Sequence, residues 1–288
     1  MVNPTNGTDM LAYTVFGEAG GPGKSTIAAS LAAAHAQRGR DVLAIDLDPQ
    51  NASLSYLLDV NNDRADGDAD HIVRHLIERP KGPLEEIIRT TDHGIDVLPA
   101  HNALANLDDL LDRAAAMAQD MDEEFDKHQR LREILVEFGV AEKYDVVVID
   151  PSRTEGAGLY NAIAATGSLV VPAEATAKGK QSVLGLEELV GGLEDELGIE
   201  VGVLAVVPNK VDTRSGTQRS YVAALRDVEY PVPVEIPVRG ALFDGAWEHQ
   251  VSPYEFVDEV RDRAPARETS TLELIDELAA TIEDEVGL

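Results

Sequence analysis

Glu18-Ala19-Gly20-Gly21-Pro22-Gly23-Lys24-Ser25-Thr26 is the stretch whose reading decides the fold. It follows an apolar run, Leu11 to Phe16, and opens into an alanine-rich helical pattern, Ile27 to His35. Strand, glycine-rich turn and helix start are the context of a phosphate-binding loop. Glycines let the main chain approach phosphate oxygens with successive N–H groups pointing inward, and the helix N-terminus adds its positive end. Lys24 is placed to reach the β- and γ-phosphates, and Ser25 to ligate Mg²⁺. The strict pattern has glycine where Glu18 stands.

Outward from this loop, strand and helix patterns alternate. Gly39 ends the first helix, and Asp41 to Ile45 reads as a short buried strand running into Asp46-Leu47-Asp48-Pro49-Gln50. Residues 59–70, rich in Asp, Asn and Gly, read as an exposed loop. Short helical patterns follow at His71–Ile77 and Pro83–Ile88, then a strand at Ile95–Pro99 and helix from Leu104 to about Val140. Tyr144–Ile149 is a β-branched run closed by Asp150, as a parallel strand buried on both faces requires. Ser168–Pro172 and Val201–Pro208 are two more such runs, separated by helix over Ser182–Leu197. A helix at Ser220–Arg226 and a last one at Thr271–Val286, apolar on one side and acidic on the other, complete the pattern. The expected fold is α/β: a doubly wound, mostly parallel sheet flanked by helices, with the site beyond the strands' C-terminal ends. Residues 1–10 read as a flexible leader and 11–288 as a single domain.

Composition narrows the function classes. With 288 residues the chain can bury a sizeable core. No apolar run reaches the length of a membrane span, so a cytoplasmic protein without a stable membrane anchor is expected. The absence of cysteine excludes disulfides, thiolate metal sites and iron–sulfur clusters. A formal charge of −29 makes self-repulsion strong at low ionic strength. It is tolerable where the Debye length falls to about 3 Å, in molar salt, and a halophilic source is the expectation.

A phosphate loop alone is not an enzyme. Mg²⁺ needs oxygen ligands and an attacking water needs an acceptor. Asp46, Asp48 and Asp150 stand at strand ends where they can converge, and Asp150 closes the most apolar strand.

Together these segments resemble the ParA/MinD family of deviant-Walker ATPases, closest to its ParA branch. The likeness rests on Gly20 to Thr26, Asp46-Leu47-Asp48-Pro49-Gln50 and Asp150. It continues in Val207-Pro208-Asn209-Lys210-Val211-Asp212-Thr213-Arg214 and Val234-Glu235-Ile236-Pro237-Val238-Arg239. The resemblance implies a P-loop NTPase fold of the SIMIBI type, ATP and Mg²⁺ as cofactors, and slow, partner-stimulated hydrolysis that cycles a nucleotide-dependent homodimer. Such a switch partitions DNA or positions a cargo. By position, Gly20, Gly21, Pro22, Gly23, Lys24, Ser25 and Thr26 hold the phosphates. Ser25, Asp46 and Asp150 serve the metal, Asp48 positions the water with Asp46 in support, and Gly156 sits in the second switch. Asn209 and the main chain around Pro237 hold the base.

Three departures from the family pattern matter. Its signature lysine, which reaches across the dimer, aligns with Ala19; Arg153, Lys178 and Lys180 are candidate substitutes. The segment Asp150-Pro151-Ser152-Arg153 is a rewritten switch. Asn209-Lys210-Val211-Asp212 literally matches a guanine-reading motif, which leaves ATP, the favoured nucleotide, in competition with GTP. A small-molecule-activating P-loop enzyme and a nucleotide-binding scaffold with little turnover are the other readings. Arg214, Arg219, Arg226 and Arg239 are either contacts to DNA, bound without sequence preference, or ion-paired surface residues. His71 and His75, four apart, lack further ligands nearby and read as surface histidines.

Overall fold

The computed structural model describes residues 10–17, 23–51 and 53–288, so the expected leader lies, but for Met10, outside the described residues. Seven strands make one sheet in the order β3-β4-β2-β5-β1-β6-β7. They are β1 (Leu11–Val15), β2 (Val42–Leu47), β3 (Arg89–Thr90), β4 (Asp96–Leu98), β5 (Val146–Pro151), β6 (Ser168–Glu174) and β7 (Gly202–Asn209). All neighbours are parallel except β3 and β4, an antiparallel edge pair. The doubly wound α/β architecture expected from the alternating patterns is the one observed.

Twelve α-helices lie between the strands or follow the last of them among the described residues. In the first half these are α1 (Lys24–Gln37), α2 (Leu54–Leu57), α3 (Ile72–Leu76), α4 (Leu107–Asp120), α5 (Arg130–Phe138) and α6 (Ala157–Thr166). In the second half they are α7 (Ala177–Leu184), α8 (Leu186–Leu197), α9 (Gly216–Arg226), α10 (Gly240–His249), α11 (Pro253–Glu255) and α12 (Ala266–Val286). Period-two alternation sends successive strand residues to opposite faces. Leu11, Tyr13, Val42, Ala44, Val146 and Val148 pack on one face with α1, α10 and α12. Leu43, Ile45, Leu47, Val147 and Ile149 pack on the other with α3, α4 and α5. Both faces are covered, which is why the strands read as unbroken apolar runs.

Several stretches differ from expectation: the helical pattern from Leu104 to about Val140 is interrupted between Asp120 and Arg130, and α6 occupies a stretch given no helix. The polar stretch after Ile236 folds into α10, α11 and a π-helical turn at Phe256–Val260. The last helix begins at Ala266, five residues before the expected Thr271, because Pro265 at its N-cap position sets the start.

Helix α1 is held at its C-terminal end by a buried polar cluster. The Glu283 carboxylate of α12 is 1 % exposed and accepts from His35 Nδ1 at 2.8 Å, Arg38 Nε at 3.1 Å and Arg40 Nη2 at 2.9 Å. His35 Nε2 lies 3.0 Å from the Tyr13 hydroxyl, so a neutral His35 donates to Glu283 and accepts from β1. The arginines and His35 hold Glu283 down at about 2 against the effect of burial, and burial pushes His35 below its ordinary value.

This cluster predicts the acid limb of stability. Glu283 contributes fully above its ordinary 4.5, and that contribution is lost as pH falls towards 2. His35, kept neutral in the fold, adds a loss of the same sign below its ordinary 6.5. Glu283→Ala should cost about 3 kcal/mol at pH 7 in denaturant unfolding, and Glu283→Gln should flatten the dependence below pH 4.5. An unaltered acid limb in Glu283→Gln would contradict this account.

Candidate nucleotide site

The sheet order sets three strand ends side by side: β2, β5 and β1 are neighbours. Gly23 and α1 follow β1, the Asp46–Asp48 segment closes β2, and Asp150 closes β5. Gly20, Gly21 and Pro22, with Ala19, lie outside the described residues. Gly23 has φ +82, and a Cβ there would come within 2.8 Å of Asn209 Nδ2. Both facts require glycine. They also bring the C-terminal end of β7 against the start of α1, so Asn209 stands beside the phosphate loop, 3 % exposed. Lys24 and Ser25 occupy the first turn of α1.

Asp46 and Asp150 are register partners on β2 and β5, both fully buried. They differ in what surrounds them. Asp46 Oδ2 accepts from Ser53 Oγ (2.6 Å), Ser55 N (2.7 Å) and Ser55 Oγ (2.6 Å), while Oδ1 accepts from Asp48 N (3.0 Å). This carboxylate is committed to shaping the loop after β2. Asp48 is 9 % exposed, and its Oδ1 accepts from Gln50 N at 2.8 Å. Both Asp150 oxygens are buried without a hydrogen-bond partner among the described residues. Burial and the charge of Asp46 push Asp150 well above the usual carboxylate range, and the Ser25 hydroxyl and Lys24 oppose that rise.

Burial in turn lowers the Lys24 pKa, against the pull of Asp150 and Asp48. A centre with three carboxylates and one half-buried lysine calls for a further cation. Orphaned oxygens at Asp150, with Ser25 alongside, fit an oxygen-coordinated divalent ion held directly or through water. Arg153 is exposed on the segment leaving β5, near enough for its charge to depress Lys24 further. Lys178 and Lys180 lie on α7, which leaves the same edge of the sheet. Gly156 precedes α6, whose Ala157 N–H donates to Asp108 Oδ1 at 2.9 Å.

On the base side, Val211 and Pro237 form a parallel bridge, so the Pro237 main chain flanks the loop after Asn209. Asp212 is turned to the surface, where its Oδ1 accepts from Arg214 N (3.1 Å) and Nε (3.2 Å). Arg226 pairs with Glu235 at 3.4 Å, and Arg239 donates to the carbonyls of Val238 and Arg267. Three of the four C-terminal arginines are thus engaged within the chain. The histidines depart from expectation. His75 is buried against Asp70 (3.2 Å), and His71 stacks on His101 with centroids 3.8 Å apart. His71 is pushed down to about 4, mainly by burial.

The AAA domain family AAA_31 matches residues 12–198, well over half of the chain. The chain is a ParA/MinD-family P-loop ATPase. Its relatives include the uncharacterized protein MJECL24 of Methanocaldococcus jannaschii, 29 % identical over 81 % of this chain and 84 % of that protein. The chromosome-partitioning ATPase Soj of Thermus thermophilus is 33 % identical over 65 % of this chain and 66 % of its own length. An ATP complex of Cyanothece McdA superposes with a TM-score of 0.73 at 19 % identity, over 98 % of each chain, which speaks for the fold.

Two residues escaped the sequence reading of this ParA/MinD-family site. Arg64, in the segment expected to be an exposed loop, is 7 % exposed and donates to the loop that carries Asp48. Trp247 of α10 donates from Nε1 to Thr26 Oγ1 at 2.9 Å and stacks on Tyr56 of α2, centroids 6.1 Å apart. The one tryptophan in the chain therefore bridges the phosphate-loop helix and the helix after Asp48. Its emission should change when ATP and Mg²⁺ are added, and Trp247→Phe should remove the signal at a cost of about 1 kcal/mol for the lost hydrogen bond. Emission that stays constant while equilibrium dialysis reports bound nucleotide would refute the link.

Proposed function

We propose that this ATPase-family chain is an ATP-dependent switch that partitions DNA or positions a cellular cargo, hydrolysis separating a nucleotide-bound homodimer. The placement of Asp48 carries this reading: a buried carboxylate on a short loop, whose charge reaches Lys24 of the phosphate helix. In this arrangement Lys24, Gly23 and Thr26 would hold the phosphates, and Ser25 with Asp150 would hold Mg²⁺. Asp48 positions the attacking water, and Asp46 keeps the Asp48 loop in shape. When bound, Mg²⁺ neutralises charge on the β- and γ-phosphates. The remaining barrier falls by positioning and by fixed cations. Slow turnover, stimulation by a protein partner and a cytoplasmic location belong to the same proposal. No helix among the described residues is long and apolar enough to cross a membrane.

With Ala19 in the lysine position, Arg153 is the cation we assign to the transferred phosphoryl charge. GTP is the competing nucleotide, because the motif ending at Asp212 has the guanine-reading form. Against it, Arg214 already holds the Asp212 carboxylate at the surface, whereas Asn209 and the main chain near Pro237 suit adenine.

Light scattering in molar salt should show the apparent mass double with ATP and Mg²⁺ and revert on hydrolysis; a permanent monomer would exclude the switch and favour a small-molecule enzyme or scaffold. Arg153→Ala should slow hydrolysis by about tenfold or more with binding retained, and an unaltered rate would remove Arg153 from the mechanism. In competition dialysis ATP should displace GTP; the reverse order would reassign the base site.

A further inference from the structure

We propose that Arg64 is the positioning residue of the hydrolytic loop, a buried guanidinium clamp that fixes Asp48 relative to Lys24 and Asp150. The clamp rests on the reading of Asp48 as the residue that orients the water. Residues Asp48 to Asn51 have no strand or helix of their own, and Pro49 to Asn51 are not buried. Such a loop fluctuates unless something outside it ties it down. Arg64 supplies the tie. Its Nη2 donates to the Asp48 carbonyl at 3.0 Å and to the Gln50 carbonyl, and its Nη1 donates to Ser53 Oγ at 3.1 Å.

Ser53 Oγ in turn donates to Asp46 Oδ2 at 2.6 Å. One planar fork thereby sets the spacing between the end of β2 and the start of α2, and its charge is relayed through a hydroxyl to the Asp46 carboxylate. A lysine could not reproduce it, because an ammonium is a compact point donor on a flexible stem, whereas guanidinium holds several N–H groups in one plane.

The clamp is anchored behind as well as in front. The Arg64 carbonyl accepts from Asn102 N at 2.9 Å, just past β4, and the stacked pair His71 and His101 lines the same small cavity as Arg64. Burying a guanidinium is costly unless its donors are satisfied; Nη2 of Arg64 is spent on two main-chain carbonyls of the loop and Nη1 on the Ser53 hydroxyl, while Nε is buried without a partner among the described residues. In a chain with 24 basic residues against 53 acidic ones, an arginine directed at carbonyl groups marks a position where loop geometry itself is at stake.

Full-length wild type, Arg64→Lys, Arg64→Ala and Asp48→Ala decide the matter, with three measurements on each. Amide hydrogen exchange of residues 47–53 without nucleotide needs no catalysis. Both Arg64 variants should exchange there about tenfold faster or more, with β1 and β5 unaltered. Equilibrium dialysis should find ATP affinity within about twofold of wild type. Turnover should fall by about tenfold to a hundredfold, the loss expected of a misplaced positioning group, and millimolar guanidinium should restore part of it in Arg64→Ala.

Wild-type exchange and turnover in Arg64→Lys would overturn the clamp. So would a variant that fails to fold, or one whose affinity drops as far as its turnover, since Arg64 would then hold the fold or the nucleotide rather than the loop. If Asp48→Ala hydrolyses ATP like wild type, the role of Asp48 is wrong, and the exchange data alone still judge the clamp.

Discussion

The fold around the site depends on how Asp46 is accommodated. A fully buried carboxylate is costly unless its oxygens are hydrogen-bonded, and Asp46 is given four donors, all from within nine residues of chain. Ser53 and Ser55 can deliver those donors only if the chain turns back tightly after Asp48. The shape of the loop thus answers to this carboxylate as well as to the Arg64 contacts on the other side of Ser53. Asp150, its register partner, has no such set of donors among the described residues. Two neighbouring carboxylates in one buried place, one saturated and one not, make an asymmetric pair. The saturated one organises protein, and the other faces Lys24 and the Ser25 hydroxyl at the start of α1.

Helix α1 ties that pair to the rest of the molecule. Its first turn carries Lys24 and Ser25, and its middle is buried from Ile27 to His35. Alanines dominate that span, which lets the helix lie close to the sheet and to α12. Its C-terminal end is fastened by Glu283 through His35 and Arg38. A helix fixed at both ends presents its N-terminal N–H groups without further ordering when a phosphate arrives, the preorganisation that makes such a terminus an effective anion site. Trp247 adds a lateral tie, joining Thr26 to the Tyr56 helix. Phosphate contacts and the Asp48 loop therefore share a rigid frame while belonging to different strands.

Strands and strand-end aspartates were legible because they rest on local rules: β-branched runs buried on both faces, an aspartate where a run ends, glycine where the chain must take positive φ. The paired strand ends followed from parallel topology. Arg64 was hidden because two of its three partners are carbonyls, which every residue has, and the third is a serine hydroxyl eleven positions away, so no charge pattern announces them. The Asp- and Gly-rich context of 59–70 correctly indicates turns, yet gives no sign that one arginine among them turns inward. Glu283 was read as part of an acidic outer face of the last helix. Its burial depends on His35, Arg38 and Arg40, some 245 positions away in sequence. Residues 240–260 lack strong helical periodicity, and α10 owes its place to packing of Leu242, Ala246 and Trp247 on the core.

The charge balance of the chain bears on how an anionic nucleotide enters. At −29, the molecule repels polyphosphate at long range, and only ionic screening or local cations can offset that. Most of the C-terminal arginines are spent on intramolecular partners, so they add little to the outward field. Lys24, Arg153, Lys178 and Lys180 instead sit on segments that leave the C-terminal ends of β1, β5 and β6, three adjacent strands. These four cations stand at the same end of the sheet as Asp46, Asp48, Asp150 and Glu174. In concentrated salt the acidic remainder is screened within a few ångströms, whereas charges beside a half-buried lysine act at short range and in lower dielectric. An anion drawn to that end of the sheet would therefore be held by contact rather than by long-range attraction, under the proposed reading of the site.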